Sequence, residues 1–193
     1  MFVGAVKSVY EQPSLEISWK IFFETLQIEI GAASFNLPLG VYSPDLWLTN
    51  EQIAIATESY DHAKKIKGQS IRYQEAADQG DFPILCIKGF PLPNRYTVRL
   101  FAPRNKAHIY PKFYWASFAE GESKRLCLLE GNKYWYLQDY QSIKSAKSAQ
   151  ALSAPMRDSE MILKALDAPR AKSFELGNTS DLVGLQSEAI TEF

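Results

Sequence analysis

The segment Phe82–Phe118, FPILCIKGFPLPNRYTVRLFAPRNKAHIYPKFYWASF, decides the predicted fold of this chain. It contains no Asp or Glu, and nine aromatic rings lie in it among six Lys and Arg side chains. Val, Ile, Tyr and Phe are enriched in β-strands, and apolar side chains recur here at a spacing near two. We therefore predict that this segment supplies strands to a β-rich core.

Five strands are predicted from this segment toward the C terminus. Glu130, Gly131 and Asn132 favour a hairpin turn between the last two strands, because Gly and Asn tolerate positive φ. Aromatic and apolar side chains fall on both faces of the final strand, which favours a barrel or a sandwich over an open sheet. The predicted strands are Pro83–Ile87, Tyr96–Phe101, Ile109–Phe118, Lys124–Leu129 and Lys133–Tyr140.

The first forty residues are predicted to form two or three further strands. Leu15–Phe23 places an apolar side chain at every second position, which is the pattern of a half-buried strand. Leu26–Ile30 alternates in the same way. Asn36–Asp45 contains two prolines and a glycine and is predicted to be a loop, since proline gives a sheet no backbone donor.

One main helix is predicted over Glu51–Lys67. Asn50 offers a cap before it, and the lysines near its end suit the negative end of the helix dipole. The alternation of Ile53 and Ile55 leaves a strand open as the alternative for the first part of this range. Gln74–Gly80 is predicted to be a short helical turn followed by a loop.

The predicted fold class is α+β and β-rich, with an antiparallel barrel or sandwich-like sheet, one main helix and a C-terminal appendage. The predicted divisions are a globular domain over 1–142, a linker over 143–157 and an acidic tail with a short helix over 158–193. The linker is small, polar and lysine-containing. The tail carries seven acids against three bases, a local charge of -4, and Pro169 is expected to end its helix.

Composition restricts the classes of function. The formal net charge is -1, which disfavours a protein that coats DNA or membranes along its whole surface, so an electrostatic partner must be met locally. No basic segment followed by an apolar run, and no apolar stretch near 18 residues, is found. We expect a soluble, cytoplasmic protein without a membrane partner.

Signatures of catalysis and of cofactors are missing from the sequence. Cys86 and Cys127 have no Cys or His neighbour at ligand spacing, so they are expected to be buried free thiols, with no metal bound. Glycine-rich phosphate loops, nucleophile elbows and His-x-x-x-His pairs are absent. We expect no cofactor and favour a protein that is not an enzyme.

The acid-free segment is the candidate binding site. If Tyr96–Phe101 is a strand, Arg95, Thr97 and Arg99 share one face, so the arginines point away from the apolar face. Cations neutralise phosphates and rings stack on bases, the chemistry of single-stranded nucleic-acid binding. The alternative is that the rings are core and the cations only keep the sheet soluble. The predicted nucleic-acid-binding residues are Lys88, Arg95, Arg99, Arg104, Lys106, His108, Lys112 and Tyr114.

The first hypothesis is therefore a non-catalytic binding module, an accessory subunit of a larger assembly that contacts RNA or single-stranded DNA. The second is a protein-interaction or assembly factor without nucleic acid, because aromatic rings and Arg are also enriched at protein interfaces. The third is a small metal-independent ribonuclease that uses His108 as its general acid or base. In a further hypothesis, the acidic tail covers the basic segment in the free protein.

Overall fold

The computed structural model describes residues 13–59, 69–103, 113–120, 123–130, 133–136 and 159–173. These ranges contain three helices and ten strands, in a mixed α+β arrangement that confirms the predicted class at this level. The helices are α1 (Leu15–Thr25), α2 (Gln69–Gly80) and α3 (160–173). The strands are β1 (Ile30–Gly31), β2 (Phe35–Leu37), β3 (Gly40–Tyr42), β4 (Leu46–Leu48), β5 (Ile53–Glu58), β6 (Ile84–Lys88), β7 (Thr97–Phe101), β8 (Tyr114–Glu120), β9 (Ser123–Glu130) and β10 (Lys133–Tyr136).

The central sheet has five strands in the order β1-β4-β5-β6-β7. All its neighbours are antiparallel except β5 and β6, which run parallel and are connected through α2. Strands β8, β9 and β10 form an antiparallel sheet, and a bridge between Val98 and Phe113 connects it to β7. Strands β2 and β3 form a separate hairpin. Within the described ranges, none of these sheets closes into a barrel.

The central sheet is covered by helices on both faces. Strand β5 shows this directly, since Ile53 and Ile55 are buried on one face while Ala54 and Ala56 are buried on the other. The first face packs against α1 and α3, and the second against α2 and the β2–β3 hairpin. Trp115 of β8 and Leu128 of β9 also pack in the cluster on the first face, and the predicted barrel or sandwich-like arrangement is not confirmed.

The strand predicted over Leu15–Phe23 is wrong, because this range lies in α1. The Ser14 side chain accepts a hydrogen bond from the Ile17 backbone N–H at 3.3 Å and caps the helix. Apolar side chains also recur there at helical spacing, and the core-packed ones are Leu15, Trp19, Phe22, Phe23 and Leu26. The residues of this segment fit both the strand period and the helix period. Burial of the side chains at helical spacing favours the helix.

The helix predicted over Glu51–Lys67 is wrong for Ile53–Glu58, which form β5, and the strand alternative is confirmed there. Asn50 belongs to the turn between β4 and β5, where Gln52 adopts a positive φ of 54°. Residues 60–67 of the predicted helix lie outside the described residues. A strand buried on both faces shows no alternation of polar and apolar residues, so its period carries little information.

Two shorter predictions in the first half also need correction. Gln74–Gly80 belongs to α2, which is a full helix that begins at Gln69. The loop predicted over Asn36–Asp45 contains β3 and most of β2, which pair around a tight turn. Pro38 lies in that turn and not in the ladder, so it interrupts no strand hydrogen bond.

The strands predicted from Phe82 onward are confirmed wherever the structure describes them. Strands β6 to β10 each overlap the predicted range, and the pairing of Lys133 with Glu130 confirms the hairpin. The predicted segments Ile109–Lys112 and Leu137–Tyr140 lie outside the described residues. These strands were predictable because consecutive antiparallel strands pair with their neighbours in sequence.

Helix α3 packs into the core. Ile162, Ala165 and Leu166 are buried in the cluster that contains the core residues of α1. The helix continues past Pro169 to residue 173, so the predicted end at this proline is also wrong. Burial of this apolar face stabilises a helix that proline alone disfavours. The divisions proposed for 143–157 and the tail after 173 lie outside the described residues.

Gly80, the last residue of α2, offers a test of packing on the second face. A Cβ atom at this position would clash with the Phe82 ring, which is buried and lies 4.3 Å from the Phe35 ring between centroids. We expect Gly80→Ala to lower the free energy of unfolding by about 1–3 kcal/mol, because the ring has to move within a packed cluster. Urea denaturation measures this. Arg72→Ala on the exposed side of α2 is the control, and an equal effect in both variants would contradict the clash.

Candidate functional site

The parallel strands β5 and β6 end side by side, at Glu58 and Lys88. In open α/β sheets, ligands bind at the carboxyl ends of parallel strands, where the connections diverge. The Lys88 Nζ atom lies 3.0 Å from Glu58 Oε2, and Lys88 pairs with Thr97 at the start of β7. The bridge between Val98 and Phe113 places Tyr114 beside Thr97 on the next strand.

The loop after β6 continues this site. The Gly89 carbonyl accepts a buried hydrogen bond of 2.8 Å from Trp19 Nε1, and the Gly89 N–H donates to the Glu58 carbonyl at 2.9 Å. Phe90, the next residue, has 37% of its surface exposed, and Arg95 at the end of the loop is also exposed. We call Glu58, Lys88, Phe90, Arg95, Thr97 and Tyr114 the carboxyl edge.

Arg99 lies two residue pairs further into the sheet, on the same face as Lys88 and Thr97. Its register partner is Cys86, and its side chain is half-buried. Among the residues that the structure describes, no carboxylate forms an ion pair with Arg99. Thr97, Arg99 and Phe101 share one face, opposite Val98 and Leu100, as the alternation predicts. Phe101 is buried on that face in the cluster with Ile84 and Cys86, so the face that carries Arg99 is also partly apolar.

The groups beneath the carboxyl edge are protonated and neutral. Burial raises the pKa of the Cys86 thiol, and the nearby Glu58 carboxylate, which accepts its hydrogen bond, raises it further. Burial also raises the pKa of Tyr73 and of Tyr42, and the buried Tyr42 hydroxyl has no hydrogen-bond partner among the residues that the structure describes. Burial raises the pKa of Cys127 to about 12. A thiolate nucleophile is therefore disfavoured at both cysteines at neutral pH.

The exposed oxygen atoms of Asp45 lie near the same end of β5. Its Oδ2 atom accepts hydrogen bonds from the Thr57 backbone N–H at 2.6 Å and from the Thr57 hydroxyl at 2.8 Å. Sequence reasoning missed Asp45 and Glu58. Glu58 is an acid at the end of a short, mostly apolar run. This pattern indicates a site residue only if Ile53–Glu58 is interpreted as a strand.

Of the predicted binding residues, the structure places Lys88, Arg95 and Tyr114 at the carboxyl edge and Arg99 next to it. The other four predicted residues lie outside the described residues: Arg104, Lys106, His108 and Lys112. The ribonuclease hypothesis rests on His108, so the structure does not test it.

Most of the aromatic rings counted in the acid-free segment belong to the core, so the alternative interpretation holds for them. The buried rings among the described residues are Phe82, Tyr96, Phe101, Phe113 and Trp115. Phe90 is exposed, and Tyr114 is half-buried with its ring centroid 6.3 Å from that of Tyr96.

Within the described ranges, no group of three or more His, Cys, Asp or Glu side chains is arranged to hold a metal ion. The helices in these ranges are too short or too polar to cross a membrane.

Comparison of the chain with protein-family models, with curated proteins and with solved structures gave no match. The geometry of the carboxyl edge is therefore the basis of the proposed function.

Proposed function

We propose that this protein is a non-catalytic binding module, an accessory subunit of a larger assembly that contacts RNA or single-stranded DNA at the carboxyl edge. The proposal is supported by the positions of the predicted binding residues, which are separated in the sequence and lie near one end of the central sheet. Lys88 and Tyr114 come from different parts of the acid-free segment and lie on either side of Thr97 at one end of the sheet, with Arg99 on the same face and the exposed Arg95 in the loop before β7.

The chemistry of the edge suits a single strand. Arg95 and Arg99 are cations that can neutralise phosphates, and the exposed Phe90 ring can stack on a base. A base stacked on a ring contributes about 1–3 kcal/mol, so even one such contact is significant. Bases in a duplex are already stacked on each other, which favours an unpaired strand as the ligand.

The protonated state of Cys86 favours binding over thiol chemistry at this position.

Removing the cations tests the proposal. We expect Arg95→Ala, Arg99→Ala and Arg104→Ala together to weaken binding of a labelled single-stranded oligonucleotide. The slope of log affinity against log salt should flatten by about 0.7 for each lost phosphate contact, or about 2 in total. Fluorescence anisotropy over a salt series measures both quantities.

The control variant carries Lys20→Ala, Lys164→Ala and Arg170→Ala, which lie exposed on α1 and α3 behind the opposite face of the sheet. It removes the same number of positive charges and should keep the wild-type slope. Equal slopes in the two triple variants would reject the carboxyl edge as the contact surface. Absence of binding at any salt would favour the alternative of a protein partner without nucleic acid.

A further inference from the structure

The ion pair between Glu58 and Lys88 is largely removed from water. Its two charged atoms lie 3.0 Å apart, and only 9% of the Glu58 side chain and 16% of the Lys88 side chain are exposed. The two residues are direct register partners on parallel strands, so the backbone holds them opposite each other. Exposed ion pairs exchange partners at little cost, whereas a pair shielded in this way resists separation.

Glu58 is held by more than Lys88. The Cys86 thiol donates a hydrogen bond to its carboxylate, and the backbone carbonyl of Glu58 accepts from the Gly89 N–H at 2.9 Å. If a phosphate recruited the Lys88 ammonium, the buried carboxylate would lose its counter-charge while remaining in place. The cost of leaving such a charge unpaired opposes that exchange.

We propose that Glu58 limits the affinity of the carboxyl edge for phosphate by neutralising Lys88. This inference rests on the proposed function and adds a residue that sets affinity to it. The pair presents no net charge to a ligand, so Arg95 and Arg99 are the described phosphate ligands. Glu58 thereby keeps the binding weak and reversible, because it withholds one phosphate contact.

The variant Glu58→Gln tests this inference directly. Glutamine keeps the length of the side chain and an oxygen that can accept from Cys86, but it removes the negative charge. The freed ammonium should add one phosphate contact, so the salt slope should steepen by about 0.7. Fluorescence anisotropy with a labelled oligouridylate gives the affinity at low salt and at physiological salt. The ratio of these two affinities should be about threefold larger for Glu58→Gln than for the wild type.

The double variant Glu58→Gln/Lys88→Met identifies the source of that gain. It also lacks the ammonium, so it should lose the whole increase in slope seen with Glu58→Gln. Its slope should still exceed that of Arg99→Met, because the double variant removes no net charge and Arg99→Met removes one. Thermal melting by circular dichroism reports whether each variant folds, and this second comparison does not need Glu58→Gln to fold.

Three results would overturn the inference. The first is an unchanged or flatter slope in Glu58→Gln, and the second is a double variant that keeps the gain. The third is a slope in the double variant no steeper than that of Arg99→Met, which would make Lys88 itself a phosphate ligand in the wild type. The proposed function fails differently: then neither the wild type nor Glu58→Gln binds the oligonucleotide at low salt, and the inference falls with it.

Discussion

Ile162→Asp is expected to lower the free energy of unfolding by about 3 kcal/mol or more, because it buries a carboxylate in an apolar core. The Ile162 side chain is fully buried on α3, in the cluster that contains Trp19 and Trp115. Leu163→Asp is the matched control on the same helix, since Leu163 is 40% exposed, and it should change stability by about 0.5 kcal/mol at most. Urea denaturation compares the two variants.

The start of α3 explains why this helix responds as part of the domain. The Ser159 hydroxyl accepts a hydrogen bond from the Ile162 backbone N–H at 3.4 Å and a hydrogen bond of 2.5 Å from the Ser117 hydroxyl of β8. At the other end, Lys172 Nζ lies 3.6 Å from Glu24 Oε2 of α1. If Ile162→Asp and Leu163→Asp were equally harmless, α3 would be an appendage, as the sequence suggested.

Trp19→Ala is expected to cost about 3–5 kcal/mol of stability, the range for truncating a large buried aromatic side chain. The Trp19 ring is fully buried and packs edge-on against Phe22 at 5.1 Å and Tyr96 at 5.2 Å between centroids. Ile17→Ala on the same helix removes a side chain that is 50% exposed and should cost much less. Thermal and urea denaturation both measure the difference.

A second substitution separates packing from hydrogen bonding at the same position. Trp19→Phe retains a ring but leaves the Gly89 carbonyl without its 2.8 Å donor, so a smaller loss of about 1–3 kcal/mol is expected. If Trp19→Phe lowered the free energy of unfolding as much as Trp19→Ala, the hydrogen bond to the Gly89 carbonyl would be the main contribution of Trp19 to stability. A harmless Trp19→Ala would contradict the position of α1 in the core.

The sequence predicted the strands best where contacts are local. Strands β8 to β10 pair with their neighbours along the chain, and β6 pairs with β7 across one loop. The first half of the chain was predicted poorly, because Leu15–Phe23 satisfies both the strand period and the helix period. The choice depends on which side chains meet the sheet, and that surface is built by residues far along the chain.

The candidate site shows the same division. That Thr97 and Arg99 share a face follows from the alternation of any strand, so it was predictable. The ion pair between Glu58 and Lys88 was not, because it requires β5 to be a strand and to lie parallel to β6. The sequence of the acid-free segment does not show which of its aromatic side chains face the core. Tertiary packing decides that most of them are buried.

By itself, the sequence determined the β-rich second half, its hairpin and the concentration of cations in a segment without acids, because period, turn chemistry and charge are local properties. Only the tertiary structure decided that Leu15–Thr25 is a helix, that Ile53–Glu58 is a doubly buried strand and that Glu58 neutralises Lys88. These outcomes depend on contacts between distant residues, whose free energies exceed the small local preferences of the chain.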